Sequence, residues 1–215
     1  MFTVAQVSRF SRIWLVLAVV FTDSILICFT HVPWSFCWLF AVGCLGVLNF
    51  YWTLSARNTK PVSGSKMHFL FFAASFMLYS LPLSLIPILG QRFMPRFAAL
   101  EILGAVMCAV GVGVAIWSRR VLAESWSPVV ALRDHHALVQ AGPYAIIRHP
   151  IYFGFMMSAV GMILVLGEIR ALVLLFDIGL FFRRMKPEER ILRATYPNEY
   201  ADYEGRVKRL LPYVW

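Results

Sequence analysis

Long apolar runs separated by short polar segments occupy the sequence from its first residues to Phe182. Crossing a hydrocarbon core of about 30 Å takes about 20 helical residues. Four runs are of that length: Ile13–Thr30, Trp34–Leu54, His68–Gly90 and Phe97–Ser118. A fifth apolar region, residues 151–182, is too long for one span and is interrupted at residues 167–170, so it predicts a helical hairpin. The pattern predicts an all-α, polytopic membrane bundle with five to six spans.

The composition agrees with a lipid environment. The chain is 60% hydrophobic and only 14% charged, whereas soluble domains carry about 25% charged residues. The first run contains Asp23 and lacks a small-residue cleavage site, so we interpret it as a span and not as a cleaved signal peptide. Cys28, Cys37, Cys44 and Cys108 lie inside apolar runs without paired ligand spacing, which predicts neither disulfides nor a metal site.

The placement of the basic residues explains the net charge of +9. With six spans, one side of the membrane receives all but three of the 20 Lys and Arg residues, the three being Arg92, Arg96 and Arg170. The positive-inside rule then places both termini and the loop 119–150 in the cytoplasm. This would be the inner membrane of a prokaryote or the endoplasmic reticulum of a eukaryote. The charge therefore indicates topology and contact with membrane lipids, with no need for a nucleic-acid partner.

The chain divides into two parts near Ser118. Residues 1–118 are predicted to form four transmembrane helices, and residues 119–215 a cytoplasmic loop, the membrane hairpin and a cytoplasmic tail. The tail keeps apolar and aromatic residues at roughly helical spacing, and Pro197 interrupts them. We expect two short amphipathic helices there, which form a cytoplasmic cap. Because the loop and the tail flank the hairpin, they should meet at its base.

Two kinds of residue inside the apolar runs are notable. Asp23, Glu101 and Asp177 are ionisable residues where lipid makes charge costly, which makes them functional candidates by default, although the sequence assigns them no role. Glycines of the fourth run, namely Gly104, Gly111 and Gly113, would allow close packing between helices.

The most informative segment begins at His136 and ends at Gly154. Gly142-Pro143 makes a turn, and Pro150 occupies the first-turn position that a helix tolerates. Tyr144, His149 and Tyr152 should then surround one helix N-terminus, where N–H groups without helical partners favour an anion or a polar ligand.

These residues resemble the isoprenylcysteine carboxyl methyltransferase family of integral membrane enzymes. The family pattern has H-x-L-V, then G-x-Y-x-x-x-R-H-P-x-Y-x-G, and in the tail R-x-x-x-E-E and E-Y-x-x-Y-x-x-R-V. The matching residues here are His136 to Val139, Gly142 to Gly154, Arg184 with Glu188-Glu189, and Glu199 to Val207. The resemblance covers about residues 130–212. Membrane phospholipid N-methyltransferases and some sterol reductases share parts of the pattern.

The resemblance implies S-adenosyl-L-methionine as the cofactor and no metal. The positions that match its pocket are His136, Ala137, Leu138, Val139, Tyr144, His149, Pro150, Ile151, Tyr152 and Glu188. Arg184 matches the position that faces the methyl acceptor, and Glu188 would pair with the amino group of the cofactor. Residues 129–132 are apolar where the family has a polar contact, so that contact is lost or comes from elsewhere.

The residue types suit methyl transfer to a lipophilic carboxylate, such as that of an isoprenylcysteine, that reaches the site from the bilayer. A carboxylate is ionised at pH 7 and needs no general base. Three alternatives stay open. A phospholipid N-methyltransferase would use a glutamate rather than Arg184 beside its acceptor. An NADPH-dependent sterol-type reductase usually has more spans, and a non-catalytic transporter or scaffold predicts polar residues at mid-depth in the spans.

Overall fold

The computed structural model describes residues 35–56, 88, 90–125 and 138–211. Within these ranges the chain forms helices and no strands. The helices are α1 (Phe36–Ala56), α2 (Ala98–Ser125), α3 (Pro150–Leu166), α4 (Val173–Thr195) and α5 (Pro197–Arg206). Short 3₁₀ turns, Gly142–Ala145 and Ile169–Leu172, precede α3 and α4. The all-α prediction is confirmed for this part of the chain.

Two helices coincide with predicted spans. α1 falls on the second apolar run and α2 on the fourth. One helical stretch in the described ranges, Ala98–Leu122, is long and apolar enough to cross a membrane, whereas Phe36–Trp52 and Pro150–Leu166 are shorter apolar helices. The first predicted span and nearly all of the third lie outside the described residues, as do Asp23 and Cys28. The number of spans therefore stays a prediction, as does the division at Ser118, through which α2 continues.

Glycines let α2 and α3 pack in direct backbone contact. A Cβ atom on Gly104 would lie 2.5 Å from the carbonyl oxygen of Gly161, and one on Gly111 would lie 2.5 Å from that of Gly154. The two contacts run in opposite order along the helices, so α2 and α3 are antiparallel. No atom lies within 4 Å of a Cβ placed on Gly113. The sequence interpretation is thus right for two of the three glycines.

The turn between α3 and α4 lies where the sequence predicts a hairpin. α3 ends at Gly167, whose φ of 58° is the left-handed conformation common after a helix. The segment that precedes α2 holds this turn in place, because the N–H of Phe93 donates to the carbonyl of Gly167 at 2.9 Å. The guanidinium of Arg92 donates to the carbonyl of Leu166 at 2.7 Å and satisfies one of the last helical acceptors.

α4 is longer than predicted. The sequence predicts that the helix ends near Phe182 and that a separate short helix precedes Pro197, but α4 continues through Pro187 to Thr195. Pro187 removes one helical hydrogen bond. The continuous burial of Phe181, Met185 and Glu189 on one side of α4 offsets that loss. The first of the two predicted tail helices is therefore an extension of the hairpin, whereas the second is α5.

The end of the chain returns to the start of α3. The N–H groups of Arg148 and His149 donate to the carbonyls of Lys208 and Arg209 at 2.8 and 3.0 Å. α5 packs beneath this segment through a buried cluster of Tyr200, Tyr203 and Val207, with Leu138, Leu192 and Tyr196 around it. The result is one compact polar region at the N-terminus of α3.

Candidate active site

Four segments meet at what we call the site end of the helices: the turn Gly142–Ala145, the first turn of α3, the second half of α4 and residues 207–210. The turn and the start of α3 carry the block from Gly142 to Gly154, α4 carries Arg184 with Glu188-Glu189, and residues 207–210 begin at the last residue of the tail block. The base of the predicted hairpin therefore does bring the loop and the tail together.

Glu189 lies at the centre of this region and is only 1% exposed. Its carboxylate accepts hydrogen bonds from Arg148 at 3.1 Å and from Arg209 at 2.5 Å. Nε2 of His149 lies 3.2 Å from the same carboxylate. Arg193, one turn further along α4, lies 3.6 Å away and is half exposed. We call Glu189, Arg148, His149 and Arg209 the buried charge cluster.

The electrostatics of the cluster keep Glu189 ionised. Burial alone would raise the pKa of its carboxyl group. The hydrogen bonds from His149 and Arg209, together with the charge of Arg148, outweigh burial and hold that pKa well below its usual range. Because an ionised carboxylate only accepts hydrogen bonds, Nε2 of His149 carries the proton of this contact. Nδ1 of His149 then faces Glu188, whose nearer oxygen is 4.0 Å away.

Glu188 has a different environment, although it is the next residue. Its side chain is 40% exposed and accepts a hydrogen bond from the hydroxyl of Tyr152. The ring of Tyr152 stacks on that of His149, with 5.6 Å between the centroids. On its other side Tyr152 lies against Phe181 at 5.2 Å. Glu188 is thus an accessible carboxylate beside the aromatic rings of His149, Tyr152 and Phe181.

Arg184 lies one turn before Glu188 on the same side of α4. Its side chain is half-buried, and its guanidinium is close enough to the phenol of Tyr152 to act on it electrostatically. Among the residues that the structure describes, no hydrogen-bond acceptor or carboxylate binds this guanidinium. The site end therefore presents a cation and an anion one turn apart, and the hydroxyl of Tyr152 donates to the anion.

Tyr144, in the turn Gly142–Ala145, borders the site end. Its backbone carbonyl accepts a hydrogen bond of 2.7 Å from the hydroxyl of Tyr203, and its side chain is buried. Burial, followed by the nearby Tyr203, raises the pKa of the Tyr144 phenol. Tyr144 is therefore a neutral group, within electrostatic range of Glu188.

The structure brings together most of the residues singled out in the sequence. Tyr144, His149, Tyr152, Arg184 and Glu188 share the site end. Buried Pro150 is the first residue of α3, followed by half-buried Ile151. Leu138 and Val139 are half-buried, and Leu138 packs on the α5 cluster. His136 and Ala137 lie outside the described residues.

One expectation about the N-terminus of α3 is wrong in part. The N–H groups of Arg148 and His149 are not available to an anion, because carbonyls of the returning tail accept from both.

The sequence interpretation missed three members of the buried charge cluster: Arg148, Glu189 and Arg209. A signal for Glu189 was present, since Phe181, Met185 and Glu189 recur every four residues on the apolar side of α4. Of the other candidate ionisable residues, Glu101 and Asp177 are not part of the cluster, and Asp23 lies outside the described residues. Glu101, in the first turn of α2, accepts a hydrogen bond of 2.5 Å from Ser35, and Asp177 is buried within α4.

In the described part of the chain, apolar helices of the kind found in membrane proteins end in a polar region at the base of a helical hairpin. Residues 102–194 match the family model described as the isoprenylcysteine carboxyl methyltransferase (ICMT) family. The match covers nearly all of α2, all of α3 and nearly all of α4, and it confirms the resemblance seen in the sequence.

Curated relatives carry matching names. Protein-S-isoprenylcysteine O-methyltransferase B of Arabidopsis thaliana is 33% identical over 95 residues, which is 42% of this chain and 48% of that protein. The Protein-S-isoprenylcysteine O-methyltransferase of Saccharomyces cerevisiae is 29% identical over 117 residues, 53% of this chain and 49% of the yeast protein. That of Mus musculus is 36% identical over 83 residues, 38% of this chain and 29% of the mouse protein. The chain spans about half the length of the first two relatives.

Proposed function

We propose that this protein is an S-adenosyl-L-methionine-dependent methyltransferase that esterifies the carboxylate of a lipophilic acceptor, such as an isoprenylcysteine. The observation that carries the proposal is the pair formed by Arg184 and Glu188, one turn apart on α4 and both close to Tyr152. The region 102–194 and the names of the relatives support the same reaction.

The residues at the site end fit the proposed cofactor chemically. S-adenosyl-L-methionine carries a methyl group activated on a sulfonium, so the protein needs to bind and orient more than to activate. Its methionine moiety has a cationic amino group, which the accessible carboxylate of Glu188 would bind. The electron-rich faces of Tyr152 and Tyr144 would attract the sulfonium by about 0.5–2 kcal/mol each.

Arg184 would hold the acceptor. A guanidinium can donate to both oxygens of a planar carboxylate and so fix its direction of approach. The acceptor carboxylate is already ionised near pH 7, so the site needs no general base. Correct placement of two reactants supplies about 7–11 kcal/mol of a barrier, which is the main contribution expected from these residues.

The order of the two residues along α4 fits two different routes to the site. Arg184 is nearer the apolar part of α4, whereas Glu188 is one turn closer to the polar end. A lipophilic acceptor would arrive from the bilayer beside Arg184, and a water-soluble cofactor from the cytosol beside Glu188. This arrangement requires the topology that the basic residues predict, with the site end and both termini in the cytoplasm.

The main rival is methyl transfer to a phospholipid amine. An amine acceptor at this position would be protonated near pH 7, and the guanidinium of Arg184 would repel it. Because no acceptor among the described residues binds Arg184, its charge favours an anionic methyl acceptor over an amine.

The experiment uses purified protein in detergent, labelled S-adenosyl-L-methionine and three acceptors: an S-farnesylated cysteine, the same compound with its carboxylate converted to an amide, and phosphatidylethanolamine. Only the first should be methylated. Arg184→Ala should leave cofactor affinity within about threefold and lower turnover by about 100-fold, the scale of a lost transition-state contact. Arg184→Lys should recover part of the turnover, because an ammonium cannot bind both oxygens.

Arg96→Ala is the matched control, since Arg96 is an exposed arginine outside the site end. Arg96→Ala should change neither the cofactor affinity nor the turnover. Full turnover by Arg184→Ala, or methylation of phosphatidylethanolamine in place of the carboxylate, would refute the acceptor assignment. Stabilisation of the protein by NADPH but not by S-adenosyl-L-methionine would refute the reaction class.

A further inference from the structure

The outward side of α4 changes from apolar to basic at Phe182. Leu175, Gly179 and Phe182 follow one another at steps of four and three residues, and all three are exposed. Such steps keep residues on one side of a helix. The adjacent side of α4 carries Phe181 and Met185, which are buried against α3 and the tail. The exposed residues therefore form a stripe that the described parts of the protein leave open.

Three basic residues continue this stripe beyond Phe182. Lys186 and Arg190 extend it at steps of four, Arg183 lies beside it, and all three side chains are exposed. None of the three has a hydrogen-bond or ion-pair partner among the described residues. Arg193 differs, because it makes an ion pair of 2.7 Å with Glu204. The stripe thus ends in three positive charges that the described parts of the protein do not neutralise.

The dimensions of a bilayer match the position of these charges. Arg183 and Arg190 are separated along the helix by about 10 Å, at 1.5 Å per residue. The headgroup region of one leaflet is about 5–7 Å thick beyond the hydrocarbon core, and Lys and Arg side chains extend several ångström from their helix toward polar groups. If the apolar half of the stripe lies in the hydrocarbon core, Arg183, Lys186 and Arg190 fall at the level of the lipid phosphates.

We propose that Arg183, Lys186 and Arg190 form a binding surface for anionic phospholipid headgroups in the leaflet at the site end. Three positive charges that no described residue neutralises, continuous with an apolar helix face, match the headgroup and the acyl chains of one class of partner. The proposal rests on the apolar half of α4 lying in the bilayer and not on the methyl-transfer reaction. Its consequence is that lipid binding sets the depth of α4, and with it the depth of Arg184 and Glu188.

The test measures binding of dioctanoyl phosphatidylglycerol to the full chain in a neutral detergent at low salt, with dioctanoyl phosphatidylcholine as the uncharged comparison. A basic residue near an anionic surface contributes about fivefold in affinity. Replacing all three by glutamine should therefore weaken phosphatidylglycerol binding by about 100-fold and leave the weak phosphatidylcholine binding unchanged. Arg183→Lys with Arg190→Lys keeps the charges and should bind within about threefold of the original protein.

Arg96→Gln removes a charge that lies outside the proposed binding surface, and it should not change phosphatidylglycerol binding. Lys186→Gln alone should weaken that binding about fivefold. For the unaltered protein, raising the salt concentration should weaken binding, because the charges lie in contact with water. Equal affinity for the two lipids, a salt-independent affinity, or unchanged binding by Lys186→Gln would overturn the proposal. So would full competition by millimolar inorganic phosphate, since the surface would then bind a soluble anion.

Discussion

Replacing Glu189 by glutamine removes the charge at the centre of the site while keeping the size of the side chain. The carboxylate is 1% exposed and faces Arg148, which is 8% exposed. A neutral amide in its place would remove the buried counter-charge of this guanidinium and of Arg209, and would leave Arg148 with the partly exposed Glu204 at 3.2 Å. An amide also offers one acceptor oxygen where the carboxylate offers two.

The expected loss of stability is large. Removing one partner of a buried ion pair typically costs about 3–5 kcal/mol, because the remaining charge stays buried without compensation. For a chain of 150–250 residues each kcal/mol shifts the melting temperature by about 2–4 °C. Glu189→Gln should therefore melt at least about 6 °C lower, and on the order of 10 °C lower if the full penalty applies.

Thermal unfolding in detergent, followed by tryptophan fluorescence, measures this loss, and Glu188→Gln is the matched control. Glu188 has the same chemistry one residue away but is 40% exposed. Glu188→Gln should melt within about 2 °C of the original protein and bind S-adenosyl-L-methionine about 10- to 100-fold more weakly, the cost of losing a charged partner. If Glu189→Gln melted within about 2 °C of the original protein, the buried charge cluster would not stabilise the fold as argued.

The pH dependence gives a second check. The folded protein holds the pKa of Glu189 below its usual value, so this group contributes its full stability above the unfolded pKa of about 4.3. The contribution is lost as the pH falls below that value toward the folded pKa. The difference in melting temperature between the original protein and Glu189→Gln should thus be constant from about pH 8 to 5 and shrink below about pH 4.

Two further predictions concern packing and topology. Gly111→Val should prevent the contact with Gly154, where a Cβ would lie 2.5 Å from a carbonyl oxygen, and should destabilise the protein by at least about 1–3 kcal/mol in thermal unfolding. Gly113→Ala should not destabilise the protein, because no atom lies within 4 Å of the new Cβ. Single cysteines placed beside Arg57 and beside Arg92 should react with an impermeant thiol reagent from opposite sides of the membrane. One of them should react while the membrane is intact, and the other only after the membrane is made permeable. Labelling of both from one side would exclude the proposed topology.

The helices that the sequence predicts best are those whose whole length is apolar. A span needs an uninterrupted run, so α1, α2 and α3 are visible in a hydropathy pattern. α4 is different, because its second half is charged and contains Pro187. A one-dimensional pattern interprets that change as the end of a helix, whereas burial of Phe181 and Met185 on one side lets the helix continue from a lipid environment into a polar one.

The composition of the site was predictable from the spacing of its sequence blocks, but its connections were not. The contacts that bring the tail to α3 are backbone hydrogen bonds from Arg148 and His149 to Lys208 and Arg209. Backbone groups are the same at every position, so these contacts leave no sequence signature. The environments of Glu188 and Glu189 also depend on the rotation of α4 about its axis. Two adjacent glutamates in a sequence motif do not specify that rotation.

The rotation of α4 explains why two neighbouring glutamates are needed. A carboxylate that binds a ligand must keep an oxygen accessible, and a carboxylate that joins two helices must be fully bonded; one group cannot do both. Tyr152 belongs to α3, whereas Arg184 and Glu188 belong to α4. Their relative position therefore depends on how firmly α3 and α4 are joined at the site end, and the bonds of Glu189 to Arg148 and His149 join them there. Glu189 thus fixes the positions of Glu188 and Arg184 relative to Tyr152.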